Sequence, residues 1–236
     1  MIKWVGNPFD TAADPSQAAS SWMPPPHSTM SRDTEPPPNL PVIDFPPKVR
    51  TSNDGKSHEV PTRYGISYSV PFTPEWRPSN TRIMSWSDES GTKATLGSVS
   101  DYRYGHCNDG DDFALATIGV RGRNGVNTNT AAREQIDLFE QIFVEGSESH
   151  PRIERSSPQV IQYEDSQGSS HSVEISEISS TKKCHPSRVR ITSIAVPAHA
   201  TSEVAVVTLI DGTFNHETLS DQVAEFITHS ITRSYQ

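Results

Sequence analysis

Two cysteines, each next to a histidine, are the residues of this chain whose types and spacing can do chemistry. They are Cys107, in Gly105-His106-Cys107, and Cys184, in Cys184-His185-Pro186. Two thiols can form a disulfide, and closing a loop this long contributes about 4 kcal/mol in an oxidising compartment. Two thiolates and two imidazoles can instead bind zinc, but adjacent residues of an extended chain point in opposite directions. We therefore expect a structural disulfide, with a zinc site or free buried thiols as alternatives.

Sequence motifs of the common catalytic and nucleotide-binding sites are missing from this chain. No G-x-S-x-G elbow presents a serine nucleophile, and the glycine-rich stretch at 119–125 has the spacing of neither a P-loop nor a dinucleotide-binding fingerprint. A histidine base would need a partner close in space, which adjacency in the sequence does not supply. We therefore predict a protein that is not an enzyme and that needs no cofactor.

Alternating apolar residues predict most of the elements that position these side chains. Tyr64, Ile66, Tyr68 and Val70 alternate with small or polar residues, which is typical of a half-buried strand. Two segments change to helical spacing, at about 130–145 and 219–233. Further strands are predicted at 82–86, 94–100, 113–121, 159–163, 172–179, 188–196 and 204–210.

The distribution of proline divides the chain. Residues 1–61 hold twelve of the nineteen prolines, with runs such as Pro24-Pro25-Pro26 that cannot sustain a helix or a sheet ladder. We expect residues 1–61 to be a disordered Pro/Ser-rich spacer and residues 62–236 to be a single domain. Strands with few helices between them favour an antiparallel arrangement. The predicted fold class is therefore α+β, with an antiparallel sheet packed by two helices.

The charge and hydropathy of the chain argue against two classes of partner. A formal net charge of −9 and scattered basic residues disfavour binding to nucleic acid, which needs clustered lysine and arginine. No window approaches the roughly 20 apolar residues of a membrane span. We expect the chain to be a fragment of a longer protein. It would then contact a membrane only through an anchor that is absent from this chain.

Two stretches of the chain have a distinctive pattern, Tyr64-Gly65-Ile66-Ser67-Tyr68-Ser69-Val70-Pro71, followed by Trp76, and Asp101-Tyr102-Arg103-Tyr104-Gly105-His106-Cys107. This pattern resembles a domain of unknown function in actinobacterial cell-envelope proteins. Cys184-His185-Pro186 and a terminal helix follow in the order of that family. The pattern is also similar to the Mog1/PsbP-like fold, which several bacterial lipoproteins use as a binding or adaptor module. The resemblance covers about residues 62–234 and implies an extracytoplasmic location, with a cytoplasmic one as the alternative.

A non-enzymatic binding or adaptor role in the cell envelope is the function that these observations favour. Trp86, Tyr102 and Tyr104 would line a groove for a ligand if their side chains point outward. The partner is then an envelope protein, a peptide or a glycan, none of which the sequence identifies. A cell-envelope hydrolase and a purely structural spacer domain are the competing functions.

Overall fold

Antiparallel strands form most of the computed structural model, which describes residues 3–5, 48–106, 114–180 and 185–234. For residues 3–5 it describes the backbone alone. In chain order the elements are β1 (Lys3–Val5), β2 (Arg50–Thr51), β3 (Ser57–Pro61), β4 (Ile66–Pro71), β5 (Trp76–Arg77), β6 (Ile83–Asp88), β7 (Gly91–Tyr102), β8 (Ala116–Arg123), α1 (Thr128–Glu145), β9 (Arg152–Arg155), β10 (Gln159–Tyr163), β11 (Ser166–Ser176), β12 (Arg188–Pro197), β13 (Val204–Thr213), α2 (Asp221–His229) and β14 (Thr232–Arg233).

Ten of the described strands form one large antiparallel sheet. Its main order is β1-β6-β7-β8-β13-β12-β11-β10, and two short strands join it, β5 beside β7 and β9 beside β11. β13 lies between β8 and β12 and is buried on both faces. Its sequence from Val204 to Ile210 is accordingly an almost continuous apolar run rather than an alternating one. The large sheet is therefore covered by other layers on both sides of its centre.

Helix α1 covers one face of the large sheet. Its start is capped by Asn127, whose side-chain oxygen accepts a hydrogen bond from the Thr130 backbone N–H at 2.8 Å. The buried side of the helix contains Ile136, Phe139 and Phe143 and packs on β7, β11, β12 and β13. The helix predicted at about 130–145 is thus confirmed, with its first residue at 128.

The small sheet, with the order β14-β4-β3-β2, covers the opposite face of the large sheet. Ile66 and Val70 of β4 are buried in the same cluster as Ile118 and Val120 of β8. Helix α2 packs beside β4, and its Ile227 joins this cluster. The domain therefore has three layers, in which the large sheet is enclosed by α1 on one side and by the small sheet with α2 on the other.

The predicted α+β class, one antiparallel sheet packed by two helices, is wrong. Two antiparallel sheets pack together, and α2 adjoins the small sheet instead of lying with α1 on a single sheet. Two strands of the small sheet, β2 and β14, have only two residues each, too few for alternation to be recognised. Residues 50–61, from the segment predicted as a spacer, supply β2 and β3, whereas residues 6–47 lie outside the described residues.

Two aspartates are buried in the large sheet, and an arginine holds each of them. Asp101 of β7 accepts hydrogen bonds from Arg82, at 2.5 Å, and from the Thr117 hydroxyl, at 3.1 Å. Asp211 of β13 accepts one from Arg190 of β12, at 2.9 Å. Burial raises the pKa of both carboxyl groups, and the neighbouring arginines oppose that rise. The pairs link β7 and β13 to neighbouring segments at the cost of desolvating a carboxylate.

A polar patch beneath α1 consists of one glutamine and two hydroxyls. Gln135 of α1 is 1% exposed, and Ser193 and Thr208, which are cross-strand partners on β12 and β13, are fully buried. The side-chain polar atoms of these three residues have no hydrogen-bond partner among the described residues. A buried amide without a partner destabilises the fold, because it has lost its bonds to water.

Replacing Gln135 with methionine is expected to raise the free energy of unfolding by about 1–3 kcal/mol, because the change removes a buried unpaired amide at similar volume. Urea denaturation followed by circular dichroism measures the gain. The matched control is Gln141→Met, an exposed position of the same helix, where we expect a change below about 0.5 kcal/mol. A lower stability of Gln135→Met would contradict this account and show that the amide is hydrogen-bonded in solution.

Candidate functional site

The two cysteines, Cys107 and Cys184, lie outside the described residues, so the disulfide and the zinc alternative stay predictions. Of their neighbours, His106 has its Nε2 atom 3.3 Å from a carboxylate oxygen of Glu217. His185 has its Nδ1 atom 3.1 Å from the carbonyl oxygen of Pro186. In the described part of the chain, no three His, Cys, Asp or Glu side chains are grouped as metal ligands.

The structure does not bring together the three aromatic residues of the predicted groove. Trp86 is 1% exposed and lies in the core beneath α1, so it cannot line an outward-facing groove. Tyr102 is half-buried and packs on Trp76, with ring centroids 5.2 Å apart. Tyr104 is exposed and lies under the guanidinium of Arg77, 3.8 Å from the ring centroid. Alternation explains the difference, because Trp86 belongs to the buried face of β6.

Tyr104 lines a shallow cleft of about 410 Å³, here called the Arg77 cleft. Its walls are Pro74, Glu75, Arg77, Arg103, Tyr104, Gly105 and His106. The basic side chains of this cleft already have partners: Arg103 and His106 both contact the Glu217 carboxylate, and Arg77 stacks on Tyr104. A ligand would have to displace these internal contacts, so the Arg77 cleft is the weaker candidate site.

A larger cleft, of about 560 Å³, lies where β10, β11 and β12 extend past the end of α2. We call it the neutral cleft, because none of the residues that line it is Asp, Glu, Lys or Arg. The lining residues are Ser156, Ser157, Gln159, Val160, Ile161, Gln162, Tyr163, Ser170, Ser172, Thr192, Ile194, Thr228, His229 and Ile231. In a chain of net charge −9, this composition favours an uncharged ligand that forms hydrogen bonds.

The register of three strands builds the floor of the neutral cleft. Ser170 and Ser172 of β11 pair with Ile194 and Thr192 of β12, and Gln159 of β10 pairs with Ser170 on the other side. Paired residues of antiparallel strands project from the same face, so these side chains form one continuous surface. The small sheet and α2 cover the neighbouring part of this face and leave the hydroxyl-rich part open.

The last turn of α2 forms the wall of the neutral cleft. Contacts at both ends of this helix fix its position. At the start of the helix, Arg190 contacts Asp221 at 2.5 Å. At its end, the Ser230 hydroxyl accepts a hydrogen bond from the Ser69 N–H of β4 at 2.8 Å. Beyond it, the Arg233 N–H donates to the Glu164 carboxylate at 3.1 Å, which joins β14 to the turn after β10. These contacts hold the wall against the floor before any ligand binds.

Sequence reasoning did not single out the neutral cleft. Serine, threonine and glutamine are common on exposed strands, so their presence alone does not mark a site. The available signal was the stretch 156–163, which carries no charged residue in a chain where 21% of residues are charged. Its meaning depends on the pairing of β10 with β11 and of β11 with β12, which the sequence did not reveal.

Comparisons with known proteins give a family without an activity. A family model described as a domain of unknown function, DUF8017, matches residues 50–234. A crystal structure from Bacteroides thetaiotaomicron VPI-5482 aligns with 80% of this chain and 49% of its own, at 12% sequence identity and a TM-score of 0.24. The chain spans about half the length of that protein. No curated protein matches the sequence.

Proposed function

We propose that this chain, which belongs to the DUF8017 family, is a non-enzymatic binding or adaptor domain that takes its ligand in the neutral cleft. The uncharged lining is the observation that carries the proposal. Two strand faces and a helix end supply hydroxyls, amides and apolar side chains, the mixture by which proteins hold neutral ligands. The family match also confirms the prediction of a domain of unknown function.

The chemistry of the cleft supports binding over hydrolysis. No carboxylate is among its lining residues, so the paired carboxyl groups used by many glycosidases are not assembled there. His229 is the histidine among its lining residues, and the Nδ1 atom of that ring lies 2.8 Å from the carbonyl oxygen of Glu225 in its own helix. A cell-envelope hydrolase and a purely structural spacer domain remain alternatives that no observation on the described residues favours.

The location that we propose is extracytoplasmic, in a bacterial cell-envelope protein. Its support is the resemblance of residues 64–71 and 101–107 to actinobacterial envelope domains, and of the wider pattern to Mog1/PsbP-like binding modules. The cysteine pair Cys107 and Cys184 also suits an oxidising compartment. Neither helix in the described part of the chain is long and apolar enough to cross a membrane.

A screen with two panels of ligands tests whether the neutral cleft binds a neutral sugar or a peptide. One panel contains neutral oligosaccharides, and the other is a displayed library of random peptides about ten residues long. Thr228→Arg places bulk and charge on the cleft wall, at a helix end where a cation is tolerated. We expect this substitution to lower the affinity for a ligand in the cleft by at least about tenfold. Calorimetry or fluorescence anisotropy measures the affinity.

The matched control is Phe226→Arg, an exposed position in the same last turn of α2 that does not line the cleft. It should leave the affinity within about threefold of wild type. Ligands that bind wild type and both variants equally would place binding elsewhere and contradict the proposal.

A further inference from the structure

In the described part of the chain, no strand pairs with the outer edge of β10. β10 is the last strand in the main order of the large sheet, and β11 is its one strand neighbour among the described residues. A two-residue turn joins the two strands and makes Tyr163 and Ser166 a hydrogen-bonded pair. Backbone pairs alternate along an antiparallel ladder, so Ile161 bonds to β11 while Val160 and Gln162 direct their N–H and C=O groups outward.

This edge lacks the features that normally prevent strands from adding. Exposed edges are commonly guarded by charged residues, proline or short length. The neighbouring edge strand β9 follows that rule, since three of its four residues, Arg152, Glu154 and Arg155, are charged. By contrast, the five residues of β10, Gln159 to Tyr163, contain no charge and no proline, and Val160 is 72% exposed. The contrast within one sheet edge points to β10 as a place where pairing is tolerated.

The open edge and the neutral cleft adjoin each other. The side chains of Gln159, Ile161 and Tyr163 are on the cleft side of β10, because these residues pair with β11 residues of that face. A strand added beside β10 would place every second side chain over the cleft and the remaining ones on the opposite face. The cleft volume, about 560 Å³, is sufficient for such side chains.

We propose that β10 binds an extended, uncharged polypeptide segment of a partner protein as an added strand, with alternate side chains of that segment in the neutral cleft. This inference rests on the proposed binding function and names its ligand class. Another extended backbone offers donors and acceptors at the spacing of the outward groups of Val160 and Gln162. The opposite end of the same sheet already pairs with a short extended segment, Lys3–Val5, which lies antiparallel to β6.

A foreign segment suits this edge better than a second copy of the chain. Two copies would each bring a net charge of −9 to the contact, and that charge opposes self-association. The lining of the cleft itself is uncharged and imposes no such cost on a neutral peptide.

The test uses a peptide selected from the displayed random library and two substitutions at one position of the whole chain. Val160→Pro removes the outward N–H of β10, to which no strand of the described residues pairs, and proline is tolerated on edge strands. Val160→Ala keeps that N–H and shortens the exposed side chain. We expect Val160→Pro to weaken peptide binding by at least about tenfold and Val160→Ala by less than about threefold. Circular dichroism melting of both variants checks that the domain stays folded.

Methylation of the peptide backbone provides an independent readout on folded wild-type protein. N-methyl groups on the alternate peptide residues whose N–H groups face β10 should abolish binding. N-methyl groups on the residues between them, whose N–H groups face away from β10, should not. Equal effects of both phases, or equal affinities of the Val160 variants, would overturn strand addition. Binding of oligosaccharides alone, sensitive to Thr228→Arg, would overturn this inference and leave the proposed function standing. If light scattering showed that the wild-type chain is a dimer and that Val160→Pro is a monomer, the edge of β10 would bind a second copy of the chain. This result would contradict the proposal of a foreign partner.

Discussion

Replacing Trp86 with alanine is expected to lower the free energy of unfolding by about 3–5 kcal/mol. The side chain is buried beneath α1 and meets Phe139 edge-on, with ring centroids 4.8 Å apart. Truncation removes this aromatic contact and leaves a cavity between β6 and the helix, which the surrounding core can fill only partly. Chemical denaturation measures the loss when it is followed by far-UV circular dichroism, because this signal comes from the backbone and not from tryptophan fluorescence.

The control for Trp86 is Tyr104→Ala, because Tyr104 was predicted to share its groove and is exposed. Loss of the Tyr104 contact with Arg77 should cost about 1 kcal/mol or less. Equal and small effects of the two substitutions would contradict the placement of Trp86 in the core. Such a result would indicate that the Trp86 side chain is exposed, as the groove predicted from the sequence requires.

Replacing Asp211 with alanine is expected to lower the free energy of unfolding by about 2–4 kcal/mol. The carboxylate accepts hydrogen bonds from Arg190 at 2.9 Å, from the buried Leu219 N–H at 3.0 Å and from the Thr218 hydroxyl at 3.1 Å. Alanine leaves the Leu219 N–H without its partner and releases the segment that precedes α2. Because α2 forms the wall of the neutral cleft, this substitution should also weaken ligand binding.

Asp211→Asn separates the hydrogen bonds of this residue from its charge. The amide oxygen can still accept from Leu219, so the loss of stability should be smaller than for alanine. Burial raises the pKa of Asp211 above its ordinary value of 3.8, so the stability contributed by its proton is present below pH 3.8 and is lost as the pH rises through the raised pKa. The deficit of the variant relative to wild type should therefore shrink as the pH rises from 3.8. Denaturation curves across that range measure it, and a deficit that grows with pH would contradict the raised pKa.

Elements with a regular apolar period were predictable from the sequence. The alternation of Ile66, Tyr68 and Val70 predicted β4, and α1 was predicted with the correct face toward the core. Periodicity succeeded because each of these elements buries one face against a neighbour. It was less informative for β13, whose central position buries both faces.

The second sheet and the cleft were not predictable for a different reason. β2, β3 and β14 are short or lie beside prolines, and they are strands because they pair with β4 or with one another in the folded chain. Trp86 was assigned to a groove because aromatic content does not show which side of β6 faces α1. The neutral cleft depends on the register of Ser170 and Ser172 against β12, which is a tertiary property.

Amide hydrogen exchange of β10, followed by NMR with and without the selected peptide, tests most directly whether this domain binds a partner through the edge of β10. In the free protein, the outward N–H groups of Val160 and Gln162 should exchange faster than that of Ile161, which bonds to β11. We expect the peptide to slow exchange at Val160 and Gln162 by at least about tenfold and to leave α1 unchanged. Bound peptide that protects only residues of the Arg77 cleft, with β10 unaffected, would contradict the account.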